Sequence, residues 1–345
     1  MRCLVVNDKG ELSVANTEKP KYSDYQALVK VESCGICNGT DMKIIHGNFK
    51  GFNTYPAILG HEGVGTVIEK GKKVRNFDIG DYVMQPLLFE PIDGYYPGYG
   101  GFAEYAIVGD WEALIEDGVS PEDPDYNMAY ITNQKIPMDF DPVSSTMIIT
   151  FKEVLSAMKN FGFTSGKSLV VYGSGPVGLC FIKFAKLMGM GPVIVLDIVD
   201  EKVEYAKKMG ADYAFNSTKI DVAEEVRRIC KDGCDFTVDA VGINALLNQA
   251  MELIKPSGTM CVYGISPKLG MEIDWSKAPY NWQVKFIQWP EIEDAAEVHE
   301  QIVDWVKEGV LDPKDYISHV IDFDHIIEAY DLVAQRKANK IAIKF

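Results

Sequence analysis

The sequence predicts an α/β protein in which a β-rich domain is joined to a doubly wound parallel sheet. Three observations carry that expectation. The chain has 345 residues, longer than one ordinary domain. Its first 110 residues or so alternate short runs containing Val, Ile and Tyr with turn clusters. From Ser168 onward, short apolar runs alternate with segments of helical periodicity, the pattern of parallel strands joined by crossover helices.

The N-terminal nine residues lack the long apolar run and small-residue cleavage pattern of a signal peptide, and read as a strand. Further strands are expected at 27–32, 63–69, 81–85 and 101–108. Between them, residues 86–101 (PLLFEPIDGYYPGYGG) have loop composition, as do residues 117–134. A helix is expected at 151–161. Then strands at 168–172, 193–197, 213–215, 236–239 and 259–263 alternate with helices at 177–188, 200–209, 222–230 and 244–254. Beyond Trp289 come helices at 293–307 and 323–334 and a closing strand at 341–345. The expected division is residues 1–150 with 290–345 in the β-rich domain and 151–289 in the other.

Composition narrows the function classes. The formal net charge is −16, with 47% hydrophobic and 24% charged residues. Nucleic acid and anionic membrane need a basic surface, so neither is an expected partner. No stretch approaches the ~18 apolar residues of a membrane span. The seven cysteines are scattered and odd in number, which argues against a disulfide framework and fits a reducing cytoplasm.

The strongest motif is Tyr172-Gly173-Ser174-Gly175-Pro176-Val177-Gly178, placed between an expected strand and an expected helix. Gly173 permits a tight turn, Gly175 lets a pyrophosphate approach the backbone, and Gly178 lets the helix pack close to the strand. The helix N-terminus supplies free N–H groups and a positive dipole end. Asp197 ends the next strand, where a carboxylate accepts from the adenosine ribose hydroxyls and repels a 2′-phosphate. That favours NAD over NADP. Val241, Gly264 and Ile265 follow later strands and suit a cofactor lying across the carboxyl edge of the sheet. The bland alternatives are a simple glycine turn and a solvated carboxylate.

Two segments carry metal-ligand chemistry: Ser33-Cys34-Gly35-Ile36-Cys37-Asn38-Gly39-Thr40-Asp41 and Leu59-Gly60-His61-Glu62-Gly63. Thiolate, imidazole and carboxylate are ligands that zinc prefers, and a catalytic zinc keeps one position open. Cys34 and Cys37 also have the spacing of a redox pair, but in a β-rich context that does not suit one.

With these motifs in this order, the chain resembles the zinc-dependent medium-chain dehydrogenases, a family that includes sorbitol, threonine and secondary-alcohol dehydrogenases. The resemblance runs over essentially the whole chain. It implies a GroES-like catalytic domain and a Rossmann coenzyme domain. It also implies one catalytic zinc held by Cys37 and His61, with Glu62 beside the metal, and a proton relay through Thr40. His46 is a candidate second member of that relay, a substrate or ribose contact, or a surface histidine. The sequence departs from the family pattern in three places. No cysteine cluster lies near 86–101, so no structural zinc is expected. Asn38-Gly39-Thr40 is one residue longer than the usual spacing before the aspartate. The position of the last zinc ligand falls at Ile148–Ile149, and Glu153, one turn on, is the nearest acid on that helix. Glu153 is therefore a candidate ligand or active-site residue.

The expected activity is hydride transfer between NAD and a secondary alcohol. The Tyr95, Tyr96 and Tyr99 cluster points to a polyol or sugar, and a homodimer or homotetramer is the expected assembly. Two other readings compete: a zinc-free quinone- or enoyl-type reductase, and an inactive dinucleotide-binding protein, which Ile148–Ile149 favours.

Overall fold

The computed structural model describes residues 1–335 and 337–345. The chain forms two compact units, Met1–Lys152 with Ile292–Phe345, and Glu153–Glu291.

The first unit carries two sheets. In the larger, seven-stranded sheet, Gln26–Gly35 is central. It pairs antiparallel with Glu62–Lys70, with Tyr105–Gly109 and with the C-terminal strand Lys340–Lys344. Ile317–Asp322 adds to the outer side of the last, in parallel. The smaller sheet has the order Leu12–Asn16, Arg2–Val6, Ala57–Ile58, Tyr96–Pro97. Burial alternates imperfectly along the central strand because both of its faces are largely covered. Leu4, Cys34, Leu59, Phe102, Ile326, Tyr330 and Ile343 share one core beneath it.

The second unit is a six-stranded sheet in which every neighbouring pair is parallel. Its order is Tyr213–Asn216, Val193–Asp197, Leu169–Tyr172, Cys234–Asp239, Ile254–Val262, Gln283–Phe286. Numbered by sequence within the unit, that is 3-2-1-4-5-6, the dinucleotide-binding order. The inner strands are continuous apolar runs because helices cover both faces: Leu169–Tyr172 is buried throughout. The order reverses between Leu169–Tyr172 and Cys234–Asp239, which opens a crevice at their carboxyl ends.

Several expected boundaries move. The helix expected at 293–307 is two helices, Ile292–Glu297 and His299–Lys307. The helix expected at 244–254 ends at Met251, and the strand expected at 259–263 starts earlier, at Ile254. Residues 86–101 are not wholly loop, because Tyr96–Pro97 pairs in parallel with Ala57–Ile58. Three strands give no apolar signal because they are solvated: Leu12–Asn16, Gln283–Phe286 and Ile317–Asp322.

Candidate active site

Antiparallel pairing brings the two ligand-bearing segments together. Gly35 stands opposite Glu62, and Cys34 opposite Gly63. Cys37 therefore leaves the central strand two residues past the position facing Glu62. Ala342 pairs with Gly35 from the other side, which carries Lys340 to the same place. A Cβ on Gly35 would stand 2.5 Å from Glu62 Oε2 and 3.2 Å from the Lys340 side chain, so a larger residue here would displace that pair.

The Cys37 sulfur, a His61 ring nitrogen and a Glu62 carboxylate oxygen lie within 4.8 Å of one another. Ligand atoms around a tetrahedral zinc stand about 3–4 Å apart, so the three need only a small contraction to meet one ion. His61 and Glu62 are buried and Cys37 is half-buried. Among the described residues this is the one group of three His, Cys, Asp or Glu side chains that gathers in this way.

Asp41, fully buried, organises the cluster. Its Oδ2 accepts from the Cys37 backbone N–H at 3.0 Å and from the Tyr330 hydroxyl at 3.2 Å. Its Oδ1 lies 3.7 Å from His61 Nδ1. At that distance the contact is electrostatic, not a hydrogen bond, and it sets a buried negative charge beside the imidazole. Burial disfavours a charged His61, but Asp41 and Cys37 beside it outweigh burial and push its pKa well above the usual value. A metal binding at this ring must displace that proton.

Glu62 is held from two sides. Its Oε1 accepts from Thr150 Oγ1 at 3.0 Å, and its Oε2 pairs closely with the Lys340 ammonium. Ile148 and Ile149, at the position where the resemblance implies a further ligand, are buried and apolar. Glu153 is partly exposed on the helix Met147–Phe161 and is not one of the three clustered ligands. From that helix it is Thr150 that reaches Glu62.

Thr40 is buried at the start of the short helix Asp41–Ile45, and its carbonyl accepts from Lys43 and Ile44 N–H. His46 is exposed at the other end of the same helix. The Tyr99 ring lies 5.2 Å from that of His61, while Tyr96 is exposed. Asp41, Thr150, Tyr330 and Lys340 carry no assignment in the sequence reading. The Cys37-to-Asp41 spacing was the available signal for Asp41. Tyr330 and Lys340 come from the far end of the chain, and no local pattern marks them.

In the second unit, the glycine segment forms the turn its spacing requires. Gly173 has φ +91°, and a Cβ there would meet Val241 at 2.6 Å. A Cβ on Gly178 would stand 2.0 Å from the Gly173 carbonyl oxygen, so close helix–strand packing excludes one. At Gly175 nothing lies within 4 Å, which leaves the backbone open to a ligand. Gly175 caps the helix Pro176–Leu187, and Pro176 occupies its first turn, where no N–H partner is needed. Val177 follows in the same turn. Asp197 Oδ2 accepts from the Ser174 N–H at 2.8 Å and its hydroxyl at 2.7 Å. Its Oδ1 accepts from Ile198 and Val199 N–H at 2.7 and 3.1 Å. Val241 is half exposed at the carboxyl edge. Gly264 packs against Gly242, and Gly242 in turn sits against the Ile265 backbone.

Residues 23–116 match the alcohol dehydrogenase GroES-like domain, and residues 176–303 match the zinc-binding dehydrogenase family. An alcohol dehydrogenase of Geobacillus stearothermophilus is 31% identical over 286 residues, covering 77% of each chain. The chain belongs to the medium-chain zinc alcohol dehydrogenase family. Among solved structures, Bacillus subtilis 2R,3R-butanediol dehydrogenase superposes with a TM-score of 0.81 at 22% identity, covering 100% of this chain and 99% of the other. An Escherichia coli CFT073 alcohol dehydrogenase complexed with NADH gives 0.81 at 24% identity, with the same coverage. Both share the two-domain α/β fold. This membership makes the chain an oxidoreductase of the alcohol dehydrogenase kind.

Proposed function

We propose that this oxidoreductase transfers a hydride between a secondary alcohol and NAD, and that it is zinc-dependent. The carrying observation is the meeting of Cys37, His61 and Glu62 with Asp41 behind the imidazole. Soft thiolate, borderline imidazole and one carboxylate are a donor set that suits zinc and leaves a coordination position free. Bound zinc supplies Lewis acidity toward the substrate hydroxyl, and the nicotinamide supplies the hydride acceptor.

The chain's own residues have separate tasks. Asp41 holds the Cys37 backbone and places a negative charge beside the His61 ring. Lys340 and Thr150 hold Glu62 in one orientation. Thr40, buried beside Asp41, takes the alcohol proton and passes it outward, with His46 at the exposed helix end as the solvent-side acceptor. Glu153 serves as an active-site contact rather than the principal ligand.

In the second unit, Gly173, Gly175 and Gly178 open the turn for the pyrophosphate, and Asp197 receives the adenosine ribose. The Ser174 hydroxyl is the donor that a ribose hydroxyl replaces on Asp197 Oδ2. The carboxylate disfavours a 2′-phosphate, which supports NAD over NADP.

The substrate class is a polyol or other vicinal diol. Tyr99 beside His61 and the name of the B. subtilis butanediol dehydrogenase support it. Among the described residues no helix is long and apolar enough to cross a membrane. Seven free thiols suit a reducing cytoplasm. We also assign a homo-oligomer. The strand Gln283–Phe286 ends the six-stranded sheet, and Val284 and Phe286 on it and Trp289 just beyond it are exposed, so a second copy has both a sheet edge and apolar surface to join.

The test has two stages. Metal analysis of the purified protein should find near one zinc per chain and no second, structural zinc. A panel of diols, polyols and simple secondary alcohols should then produce NADH. A metal-free protein that is fully active replaces this reading with a zinc-free reductase. A zinc-loaded protein that binds NADH but oxidises nothing in the panel is a dinucleotide binder.

A further inference from the structure

The amino-terminal edge of the six-stranded sheet holds a second group of reactive side chains, at the opposite end of the strands from the glycine turn. Cys230 closes the helix Val222–Ile229, its N–H bonded to Val226 O at 2.8 Å. Four residues later Cys234 opens the strand Cys234–Asp239, its N–H bonded to Leu253 O at 2.7 Å. Between them the chain makes a tight turn, with Gly233 N–H donating to Cys230 O at 3.0 Å. Gly233 has φ +92°, and a Cβ on it would press to 2.7 Å from the Ile254 backbone, so the turn is fixed. The turn sets the Cys230 and Cys234 side chains next to each other at this edge, where each thiol shifts the titration of the other.

The two thiols differ in access. Cys234 is fully buried, while Cys230 is partly exposed on a surface cavity of about 310 Å³ that Ser168, Pro192, Lys231 and Lys255 also line. Asp235, next in sequence, accepts from Ser168 Oγ at 2.9 Å and pairs with Lys255 at 2.6 Å and Lys167 at 3.2 Å. The hydrogen bond from Cys234 lowers the Cys230 pKa against the opposing effect of burial, and the Ser168 hydroxyl adds to the lowering. Asp235 raises the Cys230 pKa by its charge, and Asp232 lines the same cavity beside Lys231 and Lys255. Donation to Cys230 and burial hold the Cys234 proton more tightly.

We propose that Cys230 and Cys234 form a redox dithiol that exchanges with small-molecule disulfides of the glutathione class, with Cys230 attacking and Cys234 resolving. The Cys230 thiolate attacks one sulfur of the external disulfide, whose S–S bond breaks and releases one thiolate. Cys234 gives up its proton and attacks the Cys230 sulfur of the mixed disulfide. The second external thiolate leaves, and the Cys230–Cys234 bond remains. Two cysteine sulfurs lose two electrons in total, and one external disulfide becomes two thiols. Once Cys230 is in the mixed disulfide it no longer holds the Cys234 proton, which frees the resolving thiol to react.

The experiment treats native, zinc-supplemented protein with oxidised glutathione, alkylates the remaining thiols and maps the cysteines by mass spectrometry. A peptide with Cys230 joined to Cys234, lighter by two hydrogen atoms and restored by dithiothreitol, is the expected product. Cys230 should react at least about tenfold faster than the buried Cys180 and Cys261. Cys234→Ser should stop at a stable glutathione adduct on Cys230, and Cys230→Ser should leave Cys234 unmodified. If Cys234→Ser fails to fold, the wild-type time course decides instead, with an adduct on Cys230 preceding the intrachain bond. Recovery of both cysteines as alkylated thiols overturns the proposal. So does a lasting adduct on wild-type Cys230 without the intrachain bond.

Discussion

The Lys340 ammonium lies against the Glu62 carboxylate, and both side chains are almost completely buried. A buried carboxylate needs a counter-charge, and in the metal-free chain Lys340 supplies it. Removing one partner of such a pair costs about 3–5 kcal/mol, because the other charge is left uncompensated. Lys340→Met should therefore destabilise the metal-free protein by that order in urea unfolding with a chelator present. Zinc should recover part of the loss, since a cation bound by Glu62 replaces the missing one. Pairing the change with Glu62→Gln should recover part of it without metal. Unchanged stability in Lys340→Met would show that the contact contributes nothing.

Asp197 accepts four hydrogen bonds from the backbone and side chain around it, so it is held in place before any cofactor arrives. Asp197→Ala removes the proposed ribose acceptor and unties the Ser174 turn. NADH affinity should fall by about 1–3 kcal/mol, or roughly 5- to 150-fold. The preference for NADH over NADPH should narrow, because the repulsion toward a 2′-phosphate goes with the carboxylate. Fluorescence titration with both cofactors measures each effect. A native protein that binds NADPH more tightly contradicts the reading of Asp197.

The second unit was the more legible of the two in the sequence. Its central strands are buried on both faces and so are uninterrupted apolar runs, and Val193–Asp197 begins and ends where expected. Its edge strand Gln283–Phe286 was missed because it is mostly exposed and carries polar residues. In the first unit, Cys37, His61 and Glu62 stood out because their residue types are rare together. The residues that orient them did not. Lys340 and Tyr330 reach the site only because the C-terminal strand and the helix Ile326–Ala334 pack back onto the N-terminal part of the first unit. Such long-range placement has no periodicity to betray it.

The metal assignment separates from the cofactor assignment by mutation. Cys37→Ser should lose zinc and turnover while NADH binding stays near wild type, because the glycine turn belongs to the other unit. Asp41→Asn keeps the shape but weakens the partner of His61, and zinc affinity should fall about 10–100-fold. Chelator competition and metal analysis measure both. Glu153→Gln discriminates further. Retained zinc with lost turnover makes Glu153 an active-site contact, and lost zinc makes it a ligand.

His299 gives a pH dependence that does not involve the metal. It is buried in the first unit, with Nε2 donating to the Lys135 carbonyl at 2.8 Å. Burial first, and the Lys152 charge second, lower its pKa from 6.5 to about 4, against a small opposing effect of the Lys135 carbonyl. The folded state thus keeps this imidazole neutral where an unfolded chain would protonate it. Between pH 6.5 and about 4 the unfolded state binds more protons at this residue, so stability rises with pH across that window. The contribution is complete above the unfolded value and is lost as pH falls toward the folded one. A shift of this size corresponds to ~3 kcal/mol. His299→Gln retains an N–H donor for the Lys135 carbonyl but has nothing to titrate. Wild-type stability should therefore drop more steeply than that of the variant between pH 7 and pH 4.5, by about 2–3 kcal/mol. Urea unfolding of both proteins at the two pH values measures the difference, and parallel losses would remove His299 from the account of acid sensitivity.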